Sequence, residues 1–191
     1  MLEVRNFLNK NLYLKFKNFS QEIDNLDLTE CIKCVWYYTS NEEFGVETRF
    51  VLKGSGKFDE RYNYEIEEEL QDKIYLYLKG TVDQYKSKLN YYGKQIVSPD
   101  FNIKKFRIEF QYTDTRQEFY RHAHVKRDLN AIIYIYPKKS LGTIFFEPER
   151  AIDWEENKCL FFTKEEHSFK NEDKFNKRFT VNFFTKNRID E

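Results

Sequence analysis

The stretch after Pro99 most constrains what this chain can fold into. Phe106, Ile108, Phe110 and Tyr112 alternate with Arg107, Glu109 and Gln111, the period of two that belongs to a β-strand. Strand-like runs follow at Ala131–Tyr136, Thr143–Phe146, Lys158–Thr163 and Arg178–Thr185. Turn signals separate them: the run from Pro137 to Gly142, then Pro148, then a charged stretch over 164–177. Short strands in series with few helices specify a sandwich or barrel.

The first hundred residues read differently. Over 1–30, Val4, Phe7 and Leu8, then Phe19, Ile23 and Leu26, recur at mixed helical spacing, which predicts short helices on the outside. Strand-like pieces follow at Val35–Tyr38 and Glu47–Leu52. Ile66, Leu70, Ile74 and Leu78 recur every four residues behind the acidic run Glu65–Glu69, giving a helix with one apolar stripe and acids in its first turn. Gly80 reads as a stop, with a second helix near Val82–Leu89. The expectation is a single domain over 1–191: helices and flanking strands in 1–100, packed on a β-core in 103–186.

At 191 residues the chain is long enough to bury a real core. Lys plus Arg and Asp plus Glu balance at 32 each, so no global field favours nucleic acid or an acidic membrane, although a local basic groove stays open. No apolar run reaches transmembrane length, and the charged start lacks a signal-peptide core; a soluble, cytoplasmic protein is expected. Cys31 and Cys34 form a C-x-x-C without the second pair a zinc ribbon needs, and Cys159 stands alone. All three are expected to be inert thiols.

Three histidines carry the chemistry. His122 and His124 are spaced i, i+2, which on a strand puts both imidazoles on one face; His167 lies 43 residues after His124. Arg178 opens the last strand-like run, and period two puts Thr180 on its side. This outlines a metal site with an anion pocket beside it.

Residues 103–186 resemble the double-stranded β-helix core of the iron(II)/2-oxoglutarate-dependent dioxygenases. The pair that opens that family's metal site is matched by His122-Ala123-His124, and a Tyr-Leu-like strand end by Tyr134-Ile135. A Gly-Gly-Thr-like turn is matched by Leu141-Gly142-Thr143, the distal histidine by His167, and the Arg-x-Ser/Thr pattern by Arg178 and Thr180. Tyr112 stands where relatives often have a tyrosine lining the co-substrate pocket. The resemblance implies a mainly β (α+β) fold, a distorted double-stranded β-helix (jelly roll, cupin-like) with N-terminal helices on one side. It implies Fe(II) held by His122, His124 and His167, and 2-oxoglutarate held by Arg178, Thr180 and Tyr112. The implied reaction hydroxylates an amino-acid or peptide side chain with molecular oxygen, releasing succinate and carbon dioxide. Neither a membrane nor a nucleic acid is expected as a partner.

The sequence departs from the family at position 124, which holds histidine in place of a carboxylate. Either His124 ligates, or Asp128 swings in, or the site has lost turnover. A neutral imidazole there would leave the iron more positive and tighten its hold on anions. Two other readings stay open. A cupin shares the architecture, and His122-x-His124 with His167-x(3)-Asn171 approaches its motifs, but nothing in a cupin calls for Arg178 and Thr180. A non-enzymatic β-fold binding module would present its Tyr and Phe as a recognition face. In plainer terms, Arg178 could be a surface residue, Tyr112 core packing and Asn171 a turn cap, and Lys174 and Lys177 solvated.

Overall fold

The computed structural model describes residues 1–26, 31–51, 58–62, 68–114, 122–124, 126–169 and 177–186. Its elements in chain order are β1 (Leu2–Val4), α1 (Lys10–Asp24), β2 (Cys31–Thr39), β3 (Phe44–Val51), β4 (Phe58–Tyr62) and α2 (Glu68–Ile96). There follow β5 (Lys105–Asp114), β6 (Leu129–Tyr136), β7 (Thr143–Phe146), β8 (Glu149–Ile152), β9 (Cys159–Phe162), β10 (His167–Ser168) and β11 (Lys177–Lys186).

All pairings are antiparallel. An eight-stranded sheet runs β1-β9-β6-β11-β5-β2-β3-β4, and a three-stranded sheet runs β10-β7-β8. From β5 onward the chain passes repeatedly between them. β5, β6, β9 and β11 lie in the large sheet and β7, β8 and β10 in the small one, while His122 joins the small sheet through an isolated bridge to His167. That winding is the expected double-stranded β-helix, with β1 and the β2–β4 meander widening the large sheet at its two edges.

Strict alternation divides the large sheet into two working faces. Phe106, Ile108, Phe110 and Tyr112 of β5, and Phe179, Val181 and Phe183 of β11, turn toward one apolar core with Trp36 of β2 and Ile133 of β6. Against that face pack α1, through Leu12, Phe16, Phe19 and Ile23, and α2, through Ile74, Leu78, Val82, Tyr85 and Leu89. Phe16 stacks on Phe110 at 6.0 Å, and Phe19 meets Trp36 edge-on at the same distance. Each such fully buried side chain contributes about 1.5–3 kcal/mol of transfer free energy. A smaller cluster of Ile132, Tyr134, Phe145, Ile152, Leu160 and Phe162 fills the space between the two sheets.

Helix α1 starts where Asn9 caps it, the side-chain oxygen accepting from Leu12 N at 2.9 Å. Three expectations for the N-terminal half need correcting. Residues 2–4 form an edge strand on β9, not a helix. The inner face of α1 is buried, so it belongs to the core. Gly80 does not end a helix: α2 is continuous from Glu68 to Ile96. A mid-helix glycine costs about 1 kcal/mol against alanine, less than the buried stripe on either side of it returns. Ile66 and Glu65 lie outside the described residues, as do Asn171 and Lys174.

Cys31 and Cys34 both lie within β2, without the following helix that a redox C-x-x-C requires. Cys34 and Cys159 are buried thiols, and burial pushes the Cys159 thiol well up. Among the described residues no helix is long and apolar enough to cross a membrane.

Candidate metal centre and anion pocket

The face of the large sheet turned away from the helices lines a cavity of about 190 Å³. β5 contributes Arg107, Glu109 and Gln111, and β11 contributes Arg178, Thr180, Asn182 and Phe184. From the opposite side come Thr143 of β7 and His167 and Ser168 of β10, and His122 and His124 complete the histidine set.

His122 and His167 are clasped backbone to backbone, with His122 N donating to His167 O at 3.2 Å and His167 N to His122 O at 2.9 Å. Their rings come within 4.4 Å, centroid to centroid, and His124 stands 5.0 and 5.2 Å from them. One nitrogen of each ring lies within 4.8 Å of the others, close enough to share a metal ion. Nδ1 of His167 stands 3.0 Å from the Glu165 carbonyl oxygen. A proton on Nδ1 donated there leaves Nε2 as the ligand atom, the usual way a metal-binding histidine is oriented. Phe162 packs on the His167 ring at 4.7 Å and Phe184 on the His124 ring at the same distance.

Burial, reinforced by neighbouring positive charge, drives His124 down to about 3. Burial likewise drives His167 down to about 4. Both rings are therefore neutral near pH 7, the form a metal requires. Among the described residues no carboxylate joins this cluster. Asp128 stands at the foot of β6, its backbone N–H donating to Thr185 O at 3.0 Å, outside the donor set.

Arg178 is buried, and burial lowers its pKa. Nη2 donates to Thr143 Oγ1 at 3.0 Å, while Nε has no hydrogen-bond partner among the described residues. An aromatic box surrounds it: Phe169, Tyr134 and Trp154 have ring centroids 5.3, 5.4 and 5.7 Å from the guanidinium carbon. Tyr134 stacks on Trp154 at 4.5 Å and donates its hydroxyl to Thr143 Oγ1 at 2.8 Å. Trp154 is fixed in turn by Nε1 donating to Pro137 O at 2.8 Å. Thr143 thus accepts from two donors, which leaves its own hydroxyl proton to point elsewhere. Gly142 beside it has no room for a side chain: a Cβ would lie 1.7 Å from the Ile152 carbonyl oxygen.

Of the six residues singled out in the sequence, five line one cavity: His122, His124, His167, Arg178 and Thr180. Tyr112 does not. It lies on the helix-facing side of β5, with its ring 5.2 Å from Phe179 in the core. Period two puts it opposite Gln111, so it cannot reach the pocket from that strand. Sequence reasoning missed the structural part played by Thr143, Trp154 and Phe169. Only Thr143 carried a signal, as the last residue of the Gly-Thr turn.

No family model and no curated protein matches the chain. Solved structures do match its fold. A prolyl-4-hydroxylase of Pseudomonas putida is 12% identical with a TM-score of 0.50, over 98% of this chain and 92% of that one. A C-terminally truncated protein of Neurospora crassa in apo form gives 0.53 at 9% identity, over 96% and 81%. A Shewanella oneidensis structure classed among the oxygenases gives 0.51 at 12%, over 93% and 78%. The fold and the cavity together define a double-stranded β-helix protein with a three-histidine cluster and a buried arginine between its sheets.

Proposed function

We propose that this protein is an iron(II)- and 2-oxoglutarate-dependent oxygenase that hydroxylates an amino-acid side chain, free or within a peptide. One observation carries the reading. A buried guanidinium without a carboxylate partner among the described residues shares a small cavity with three imidazoles, two of which burial holds neutral near pH 7. Burying an unpaired charge costs several kcal/mol. A ligand carboxylate arriving at Arg178 would offset that cost. The likeness in fold to a hydroxylase structure supports the same class.

The donor set fits Fe(II), for which imidazole is a suitable ligand. His122, His124 and His167 would hold the ion on one face, leaving positions open to other ligands. With no carboxylate in the cluster among the described residues, the ion would keep more of its positive charge, which favours a dianionic co-substrate. When bound, iron supplies the oxygen chemistry of the net reaction: 2-oxoglutarate, dioxygen and R–H give succinate, carbon dioxide and R–OH. The chain's own residues bind and orient. Arg178 pairs with the distal carboxylate through a charge-assisted fork. Thr180 and Thr143 offer hydroxyls from the two walls, and the aromatic box fixes the guanidinium and keeps water out.

An anaerobic titration of the metal-free protein with Fe(II) and 2-oxoglutarate tests this through the visible charge-transfer band of the chelate. The expected result is a band that H167A abolishes and R178A shifts to much higher 2-oxoglutarate. Metal binding without a band would mean a cupin-type enzyme. Neither metal nor band would leave a β-fold binding module.

A further inference from the structure

The cavity does not end at the histidines. A shallow groove beside it shares Arg107 and Arg127 with it. Together the two spaces are lined by six cationic side chains, Lys33, Lys105, Arg107, Arg127, Arg178 and Lys186, against two carboxylates, Glu43 and Glu109. This is a local basic surface on a chain whose total charge balances.

The arginines are not equivalent. Arg107 is committed: its Nε donates to Glu109 at 2.6 Å, its Nη2 to Glu47 at 3.0 Å, and its guanidinium lies 4.0 Å over the Tyr37 ring. Arg178 is enclosed in its aromatic box. Arg127 is fixed at its backbone, where its N–H donates to His124 O at 2.9 Å. Its guanidinium carbon lies 5.9 Å from the centroid of the Phe184 ring that packs on His124. No carboxylate pairs with it among the described residues. Arg127 and Lys33 line the same cavity as His124. A second guanidinium fork is therefore aimed at the space next to the proposed metal, on the boundary between cavity and groove.

We infer that Arg127 receives a carboxylate of the prime substrate, so that the molecule brought to the metal centre is an acidic amino-acid side chain, free or in a peptide. The inference rests on the oxygenase reading of the cavity. A planar fork matches the two oxygens of a carboxylate, and a half-buried position strengthens the pair above its worth in open water. Arg178 takes the co-substrate and Arg127 the substrate, one cation for each anion.

Calorimetric titration of the full chain tests this with a short peptide carrying one glutamate among alanines, alongside its glutamine and phosphoserine counterparts. The glutamate peptide is expected to bind about tenfold tighter than the glutamine peptide, as one charge-assisted hydrogen-bonded pair provides. In R127Q that preference should vanish. No binding of the glutamate peptide, equal binding of acid and amide, or a preference that survives R127Q overturns the inference. A phosphoserine peptide that binds about tenfold better than the glutamate one would overturn the carboxylate assignment in favour of phosphate. The chelate band, run in parallel, separates the two readings. Acid preference without a band would remove the oxygenase and keep the anion site; a band without acid preference would do the reverse. Loss of 2-oxoglutarate affinity in R127Q equal to that in R178A would place Arg127 in the co-substrate pocket and also overturn the inference.

Discussion

Thr143 Oγ1 accepts from both Tyr134 and Arg178, so one hydroxyl sets the position of a buried phenol and a buried guanidinium. T143V keeps the shape and removes the acceptor. It is expected to destabilise the fold by about 1–3 kcal/mol, the cost of stranding a buried donor, and to raise the 2-oxoglutarate requirement. Urea unfolding and the chelate titration report the two effects separately. R178K keeps the charge and loses the fork; about tenfold weaker 2-oxoglutarate with unaltered Fe(II) binding is the expected outcome. The histidines give a pH dependence whose sign is fixed. Their ordinary value is 6.5, and the fold holds His124 at about 3 and His167 at about 4. As pH falls below 6.5 the unfolded chain takes up these protons and the folded chain does not. Stability of the metal-free protein is therefore full above that value and is lost progressively toward pH 4, by about 1.4 kcal/mol per pH unit per group. Urea midpoints that match at about pH 7 and about pH 5 would refute this; replacing both histidines by glutamine should flatten the profile.

Among the elements, α2 offers the cleanest test. A Cβ at Gly80 would meet nothing within 4 Å, so G80A should raise stability by about 1 kcal/mol through helix propensity alone. At Gly93 the same Cβ would lie 2.1 Å from the Phe101 ring, and G93A should lower stability; thermal melts of the two variants should move in opposite directions. These glycines also show why parts of the fold were hidden in the sequence. Gly80 resembles a stop because glycine is a poor helix former, and only the tertiary stripe from Ile74 to Leu89 overrides it. The long strands are legible because β5 alternates from Phe106 to Tyr112 and β11 from Arg178 to Phe183. The edge strands β1, β4 and β8 are three to five residues long, too short for a period to show, and β1 is defined only by pairing with the distant β9. Five site residues were legible because histidines are scarce here and because Arg178 and Thr180 share one face of β11. Of the two readings of Tyr112, the structure gives core packing, because it shares the apolar face of β5 while the polar face lines the cavity. The aromatic box could not be read at all, since Trp154 and Phe169 reach Arg178 from separate loops.

For the molecule as a whole, ligands that bind only the folded state stabilise it by mass action, about 2.7 kcal/mol at a hundredfold excess over Kd. Fe(II) should raise the melting temperature, and 2-oxoglutarate should raise it further only when iron is present. H167A should lose both increments and R178K chiefly the second; scanning calorimetry would show it. A 2-oxoglutarate increment without metal would argue against chelation. The two faces of β11 serve the two halves of the molecule. Arg178 and Thr180 serve the cavity, while Phe179, Val181 and Phe183 serve the helix-covered core. Inserting or deleting one residue within β11 would exchange the two sets beyond that point, presenting apolar rings to the cavity and polar side chains to the helices. A replacement within β11 leaves the assignment of its two faces intact, whereas a change of its length does not.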